Sequence, residues 1–345
     1  MTPMTSVLIV DDEPAVRDIM ARWVASLGLQ PKTAATADEA LATLRTRHYD
    51  LAVIDVMMPG RDGLWLASQL QRDHPHTAVI IATADTNLLD SDSQNSPVAD
   101  RPIADFLVKP FQRDRFALAV DRGRQWRKQT LEELQWHARL ALELRDRTHE
   151  ICSIIRERSA AGSAELDALM EITFERVPET MAHSERVARY ADSVARELRI
   201  EHAPALDILD LAARLHDVGK AAMPEALITK PSPLTVGESA IMRRHVDAGA
   251  EILASTETLA DAAPIVHASH EWFGGTGYPR KLAGSAIPLA SRIIAVADAY
   301  DAMTQDRYYR AHLDSADAVA EMLRCSRKQF DPEIIDAFLA VLGRH

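Results

Sequence analysis

The chain has 345 residues, a formal net charge of −12 and only two cysteines. With 47% hydrophobic and 26% charged residues it has the composition of a globular protein, and its length suits about two domains. The acidic balance argues against binding nucleic acid through the overall field, and two separated cysteines argue against a disulfide framework. No apolar run reaches about 18 residues, so neither a signal peptide nor a membrane span is predicted and a cytoplasmic protein is expected.

Short apolar runs separated by amphipathic segments occupy the first part of the chain, from Ser6 to about Phe111. Two amphipathic helices are predicted at Pro14–Ser26 and Ala37–Arg45. The apolar runs predict buried parallel strands at Val7–Val10, Leu51–Ile54, Val79–Ala82 and Phe106–Val108. This alternation indicates an open α/β domain, whose ligand site lies beyond the carboxyl ends of the strands.

Residues with metal-binding and phosphate-binding chemistry occur at that predicted edge of the sheet. Asp11 and Asp12 follow the first strand, and Asp55 follows the strand at Leu51–Ile54. Three carboxylates form a hard-oxygen site suited to Mg²⁺. With Mg²⁺ neutralising the charge, one carboxylate could accept a phosphoryl group, whose oxygens Lys109 and Thr83 could then hold.

The segments VLIVDDE, DVMMPGRDG, ATAD and FLVKPF resemble a response-regulator receiver domain over residues 5–125. The resemblance implies a doubly wound parallel sheet of the flavodoxin-like kind and a cognate sensor histidine kinase as partner. It makes Asp55 the phospho-acceptor and a Mg²⁺ ligand with Asp11 and Asp12, Phe106 the aromatic switch residue, and Thr83 and Lys109 the residues that respond to phosphorylation. The stretch ATADTNLLDSDSQNSPVADRPIADF is longer than receivers usually carry there.

A charged segment rich in helix formers runs from about Gln112 to Arg158 and contains almost no Gly or Pro. It predicts a long helix that joins two domains, with a linker at residues 126–163. A stripe with 3-4 spacing suggests the alternative of a parallel coiled coil across a homodimer. The stripe comprises Leu131, Leu134, Ala138 and Ala141 and, after an interruption at Arg145, Thr148, Cys152 and Ile155.

Beyond Ala164 nearly every segment has the pattern of an amphipathic helix, which predicts an all-α domain over residues 164–345. The predicted helices include His183–Leu198, Ala205–Leu215, Val236–Ala254, Pro288–Met303 and Ser315–Cys325. The segment Trp272–Pro288 is the exception, because its glycines and prolines predict a loop.

Side chains suited to one polynuclear metal site recur along these helices. The candidate ligands are His183, His216, Asp217, His245, His270 and Asp298. Imidazole and carboxylate donors suit Fe, Mn, Zn or Ni, and Asp217 could bridge two ions while His216 holds one. The His-Asp pair is expected on a helix that Gly219 ends, with Lys220 placed to meet a phosphate near the metals. The pattern predicts metal-assisted hydrolysis.

The blocks HSERVARYA, LHDVGK, MRRHVDAGAEIL, SHEWFGGTGYP and IPLASRIIAVADAYDAMT resemble, in this order, the HD-GYP phosphodiesterases of the HD hydrolase superfamily, which degrade cyclic di-GMP. The resemblance implies two or three ions, Fe or Mn foremost, with Glu179 as an extra ligand. Asp217 and Lys220 become catalytic residues, and Lys220, Tyr278, Arg307 and Arg310 become substrate contacts. The expected products are linear pGpG and then GMP, with the connecting helix transmitting phosphorylation at Asp55. A protein partner at the GYP loop, residues 269–279, is a further expectation, and no segment remains for DNA binding.

Two positions depart from the family's pattern. The consecutive pair of histidines appears as Ser269-His270, and an aspartate usual in the loop appears as Gly274. Serine is a poor ligand for these ions, and His267 would point away from Ser269 in a helix. An alternative is therefore a catalytically degenerate module that binds cyclic di-GMP or a protein. A third hypothesis is an HD hydrolase acting on another phosphoester, such as a related cyclic dinucleotide.

Overall fold

A computed structural model describes residues 4–84, 103–160, 164–305 and 312–343, except for the side chain of Glu179. The chain divides into two units, Met1–Trp136 and His137–His345. The long stretch between the strand predicted at Val79–Ala82 and Phe106 lies mostly outside the described residues. Arg307 and Arg310 also lie outside them. Among the described helices, none is both long and apolar enough to cross a bilayer.

The first unit contains one parallel sheet with strand order β2-β1-β3-β4-β5, which confirms the predicted α/β receiver fold. The strands are β1 at Ser6–Val10, β2 at Gln30–Ala34, β3 at Leu51–Asp55, β4 at Ala78–Thr83 and β5 at Ile103–Val108. Strand β2 was not predicted. It lies at the edge of the sheet, and in its sequence QPKTA only Ala34 is fully buried, so it lacks the apolar run by which the central strands are recognised.

Helices cover both faces of this sheet, at α1 (Pro14–Ser26), α2 (Ala37–Thr46) and α3 (Gly63–Asp73), together with the start of α4 (Arg113–Ala160). Helix α3 was not predicted. Asp62 caps it by accepting a hydrogen bond from the backbone of Trp65. A Cβ at Gly63 would lie 1.9 Å from the carbonyl oxygen of Asp55, so glycine lets α3 begin directly against the end of β3.

The second unit is helical and surrounds one core of hydrophobic side chains, which confirms the predicted all-α domain. Its helices are α5 (Glu165–Arg176), α6 (Glu179–Glu197), α7 (Ala203–Leu215), α8 (Glu225–Ile228), α9 (Val236–Met242), α10 (His245–Leu253), α11 (Ala263–His267), α12 (Leu289–Thr304), α13 (Ser315–Arg324) and α14 (Pro332–Leu342). The single helix predicted at Val236–Ala254 is wrong, because α9 and α10 are separate. The Arg244 amide bonds to the Ile241 carbonyl three residues back, which tightens the turn between them.

Helix α4 is continuous over 48 residues, as the linker sequence predicts. In its second half, Leu144, Cys152 and Ile155 are buried in the core of the second unit. Thr148 is also buried, so this half of the proposed coiled-coil stripe packs inside the chain and is not available to a second copy. In the first half of the stripe, Leu134 is 40% exposed. The exact domain boundaries stay a prediction.

Replacing Leu144 with alanine is expected to destabilise the second unit by about 2–5 kcal/mol, because it removes a side chain that is only 3% exposed. Leu323→Ala on α13 is the matched control, since Leu323 is 49% exposed. Urea unfolding of the full chain, followed by circular dichroism, measures both. Equal effects of the two substitutions would contradict the packing of α4 described above.

Candidate metal centre and receiver pocket

The first unit brings Asp11, Asp12, Asp55 and Lys109 together at the carboxyl edge of its sheet. The three carboxylates each offer an oxygen within 4.8 Å of the others, which suits a divalent cation. Lys109 Nζ lies 2.8 Å from Asp11 Oδ2 and 3.0 Å from Asp55 Oδ2. Burial raises the pKa of Asp55, and the neighbouring Lys109 works against this rise.

Thr83 and Phe106 lie near the same edge of the sheet. Thr83 ends β4, is fully buried and pairs in register with Val108, one residue before Lys109. Phe106 is a half-buried residue of β5 that packs against the core on one face of the sheet. The predicted switch residues therefore lie on β4 and β5, near the edge of the sheet that carries the acidic pocket.

The His216-Asp217 pair lies at a junction and not within a helix, contrary to the prediction. Helix α7 ends at Leu215, and a short 3-10 helix follows at Val218–Ala222. Gly219 belongs to this 3-10 helix and does not end α7. A Cβ at Gly219 would lie 1.9 Å from the carbonyl oxygen of His245, so glycine permits the close approach of α10.

Six predicted ligands converge in the second unit as two adjacent clusters that share Asp217. The first cluster is His183, His216 and Asp217, and the second is Asp217, His245 and His270. His216 Nε2 lies 3.6 Å from Asp217 Oδ2, and His245 Nε2 lies 3.6 Å from Asp217 Oδ1. Asp298 joins the first cluster, with Oδ1 at 3.2 Å from His183 Nε2 and 3.9 Å from His216 Nε2.

The imidazoles of these clusters fit a divalent metal. The Nε2 atoms of His216, His245 and His270 are buried and have no hydrogen-bond partner among the described residues. Such atoms are costly unless something binds them, and a metal ion is the partner that an imidazole lone pair suits. The Nδ1 atoms of His216 and His245 donate to backbone carbonyls, which leaves each Nε2 as the free donor atom.

The protonation of these groups differs with their surroundings. Burial lowers the pKa of His245 to about 3, so this imidazole stays neutral. Burial also acts to lower the pKa of His183, but hydrogen bonds to Asp298 and Asp301 outweigh it and raise the pKa to about 9. Burial acts to raise the pKa of Asp217, yet the Lys220 ammonium holds it well below its usual value. A metal ion at His183 would therefore displace a proton.

Two predicted substrate contacts lie beside the clusters, one at the shared Asp217 carboxylate and one at His270. Lys220 Nζ lies 2.6 Å from Asp217 Oδ2. The Tyr278 ring stacks on His270 with centroids 5.1 Å apart and an interplanar angle of 11°. The guanidinium of Arg243, which was not predicted, lies 5.4 Å from the centroid of Tyr278.

Other predicted residues are placed apart from the clusters or outside the described residues. Glu179 begins α6 one turn before His183, but its side chain is not described, and neither are Arg307 and Arg310. The Ser269 hydroxyl donates to the Val266 carbonyl. His267 Nε2 lies 2.9 Å from Asp247 Oδ1 and is not among the residues of either cluster, in line with the prediction that it does not replace a ligand at position 269.

Two further carboxylates shape the site and were not predicted. Asp301 Oδ2 accepts a hydrogen bond from His183 Nδ1 at 2.6 Å, and Asp301 also pairs with Arg186. Asp301 is three residues after Asp298 on α12, a spacing that places both on one helix face and could have indicated it. Glu271 is buried and accepts hydrogen bonds from the backbone of Arg280 and Leu282, which fixes the loop after His270. No sequence signal identified that role.

Asp301→Asn is expected to weaken metal binding by about 10–100-fold, because His183 loses the anionic acceptor that orients its ring. Asp210→Asn is the control, since Asp210 pairs with Arg214 at the surface. Mn²⁺ titration of both proteins measures the effect, with thermal unfolding as a check on the fold. An unchanged Mn²⁺ affinity in Asp301→Asn would contradict the orienting role.

Comparison with known proteins matches both units. Residues 7–121 match the response regulator receiver domain, and residues 167–334 match the HD domain. HD domains are metal-dependent hydrolases, so the predicted enzyme class and divalent-metal binding are confirmed at that level. A receiver domain likewise implies a kinase as phosphoryl source.

The chain is 31% identical over 340 residues to the cyclic di-GMP phosphodiesterase response regulator RpfG of Xanthomonas campestris pv. campestris, covering 97% of this chain and 87% of the relative. It is 29% identical over 344 residues to a cyclic di-GMP phosphodiesterase of Thermotoga maritima, covering 97% and 89%. It is also 36% identical over 163 residues to 3'3'-cGAMP-specific phosphodiesterase 2 of Vibrio cholerae, covering 47% and 31%. The chain therefore belongs to the family of response regulators, represented by the Xanthomonas protein, that join a receiver domain to an HD domain.

Proposed function

We propose that the chain hydrolyses cyclic di-GMP at the metal centre around Asp217, under the control of its receiver domain. The observation that carries this proposal is the shared carboxylate. Each of the two Asp217 oxygens lies beside a different cluster of imidazoles, with Lys220 against one of them. This arrangement suits a pair of ions acting on a phosphodiester, the bond class that the two full-length relatives are named for cleaving.

The proposed ligands fall into two sets. His183, His216 and Asp298 would hold one ion with Asp217, and His245 and His270 would hold the other with the same carboxylate. Glu179 is the proposed extra ligand if a third ion binds. Divalent ions held there, Fe or Mn foremost and Zn or Ni as alternatives, would act as Lewis acids and lower the pKa of bound water.

The remaining roles fall to side chains at the edge of the clusters. The Lys220 ammonium, which contacts Asp217, would donate a charge-assisted hydrogen bond to a phosphate oxygen. Burial raises the pKa of Tyr278, so its phenol stays protonated and can donate to a phosphate or a guanine. Arg307 and Arg310 are the proposed further contacts to the substrate. The proposed product is linear pGpG, followed by GMP.

Control would begin at Asp55. Asp11, Asp12 and Asp55 are the proposed Mg²⁺ ligands, and Asp55 is the proposed phospho-acceptor. A phosphoryl group on Asp55 would attract the Lys109 ammonium away from Asp11, because a dianion outcompetes a carboxylate for it. Thr83 and Phe106 are the proposed switch residues beside this pocket.

A homodimer is the proposed assembly. The first half of the α4 stripe offers an apolar surface that a second copy could cover, since Leu134 and Ala138 are exposed. Leu142, on the same stretch of α4, is 52% exposed and extends this surface. The GYP loop, residues 269–279, is the proposed contact for a protein partner.

The purified chain supplied with Mn²⁺ or anaerobic Fe²⁺ is expected to convert cyclic di-GMP to pGpG, as followed by chromatography. Asp217→Ala should abolish turnover, and Lys220→Ala should reduce kcat by about 10²–10³-fold through loss of phosphate charge stabilisation. Lys230→Ala, which removes a lysine paired with Glu238, controls for loss of positive charge. A full metal complement without turnover would support the degenerate binding module, and faster turnover of 3'3'-cGAMP would support the related-dinucleotide hydrolase.

Asp55→Asn is expected to prevent labelling of the chain by radioactive acetyl phosphate in the presence of Mg²⁺, because the amide is not a nucleophile. Asp50→Asn is the control, since Asp50 is a receiver carboxylate that binds Arg127 and the Ser6 backbone and is not part of the acidic pocket. Label retained by Asp55→Asn would show that another residue is the acceptor.

A further inference from the structure

Position 269 shares a backbone anchor with two of the metal-binding imidazoles. In each case a side-chain donor bonds to the carbonyl oxygen three residues earlier in the chain. The three bonds join His216 Nδ1 to Ala213, His245 Nδ1 to Met242 and Ser269 Oγ to Val266, over 2.8, 2.9 and 2.8 Å. The side chain of residue 269 is therefore hydrogen-bonded to the backbone in the same way as the side chains of two predicted ligands.

The side chains differ beyond the anchor. For His216 and His245, the anchored ring carries a second nitrogen that lies 3.6 Å from an Asp217 oxygen. For Ser269, the anchored atom is also the last atom of the side chain, and the residue is only 3% exposed. Its hydroxyl proton is bound by the Val266 carbonyl, and no further donor extends towards the metal clusters.

The two clusters consequently differ in the number and charge of their donors. The first combines His183 and His216 with an oxygen of Asp217 and an oxygen of Asp298. The second combines two imidazoles with the other oxygen of Asp217. Among the described side chains, Asp298 lies within 4.0 Å of His183 and His216, and no contact this short joins it to His245 or His270.

The support behind the ligands is also unequal. Asp301 fixes the His183 ring through Nδ1, and Arg186 in turn fixes Asp301. Among the described residues, His270 is held by stacking on Tyr278, and no hydrogen bond to its Nδ1 is found. Ligand charge and rigidity set the affinity of a metal site, so both differences favour the first cluster.

We propose that the two clusters bind divalent metal with unequal affinity, and that Ser269 makes the ion of the second cluster exchangeable. The consequence for activity rests on the proposed function. The rate of hydrolysis would depend on the free metal concentration, because that concentration sets the occupancy of the second cluster. The first cluster would stay occupied over the same range.

The test is a Mn²⁺ titration of the chelator-stripped full chain, with free Mn²⁺ measured by its electron paramagnetic resonance signal. Two classes of site at least about 10-fold apart in Kd are expected. Ser269→His should tighten the weaker class about 10-fold or more, because an anchored imidazole adds the missing nitrogen. Ser193→His on α6, away from the clusters, is the matched control and should leave both classes unchanged.

Ser269→Ala is a second variant, and its smaller side chain fits the buried position without displacing neighbouring atoms. It should leave both Mn²⁺ affinities as they are, since the hydroxyl serves the Val266 carbonyl and not a metal. Weaker Mn²⁺ binding in Ser269→Ala, a single class of sites in the unaltered chain, or an unchanged weaker class in folded Ser269→His would each overturn the proposal.

An activity measurement separates this inference from the proposed function. The Mn²⁺ concentration for half-maximal hydrolysis of cyclic di-GMP should equal the Kd of the weaker class and should fall in Ser269→His. Two unequal classes without hydrolysis would refute the proposed function and keep the metal assignment. Hydrolysis by a chain whose metal sites all bind Mn²⁺ with equal affinity would refute only the proposed difference in affinity.

Discussion

The burial of the Asp217 carboxylate is the constraint on which the second unit depends. A buried anion costs several kcal/mol unless cations or hydrogen bonds compensate for it. Here the Lys220 ammonium lies against one oxygen and compensates part of this charge. The Nε2 atoms of His216 and His245, which a metal ion would bind, face the two oxygens. The approach of α10 that brings His245 close requires a glycine at position 219. Local backbone geometry, charge compensation and metal-binding capacity are therefore consequences of one arrangement.

In both units a lysine side chain lies against buried carboxylates. Lys109 bridges Asp11 and Asp55 in the receiver pocket, as Lys220 contacts Asp217 in the metal centre. Burial acts to lower the pKa of Lys109, but its hydrogen bonds with the two carboxylates raise the pKa overall. In each place a lysine compensates acidic groups that are poised for a cation or a phosphoryl group. Binding of the ligand then redistributes charge that the fold already holds.

Orientation of the imidazoles comes from the backbone as much as from side chains. Carbonyl oxygens fix His216 and His245, whereas the Asp301 carboxylate fixes His183 and joins α6 to α12. Ser269 keeps the backbone anchor and lacks the ring. The proposed effect of Ser269 is therefore on metal affinity, because the anchor to Val266 is present while a ring nitrogen is not.

The sequence by itself determined the central strands, the helical second unit, the long α4 and the residue types of both sites, because apolar periodicity and ligand chemistry are local properties. The six predicted ligands lie close together, but their role as metal ligands stays a prediction, and the side chains of Glu179, Arg307 and Arg310 lie outside the described residues. Only the tertiary structure decided that the polar segment Gln30–Ala34 is an edge strand. It also decided that Thr148, Cys152 and Ile155 pack inside the chain. These outcomes depend on contacts between residues far apart in the chain, which periodicity and spacing do not encode.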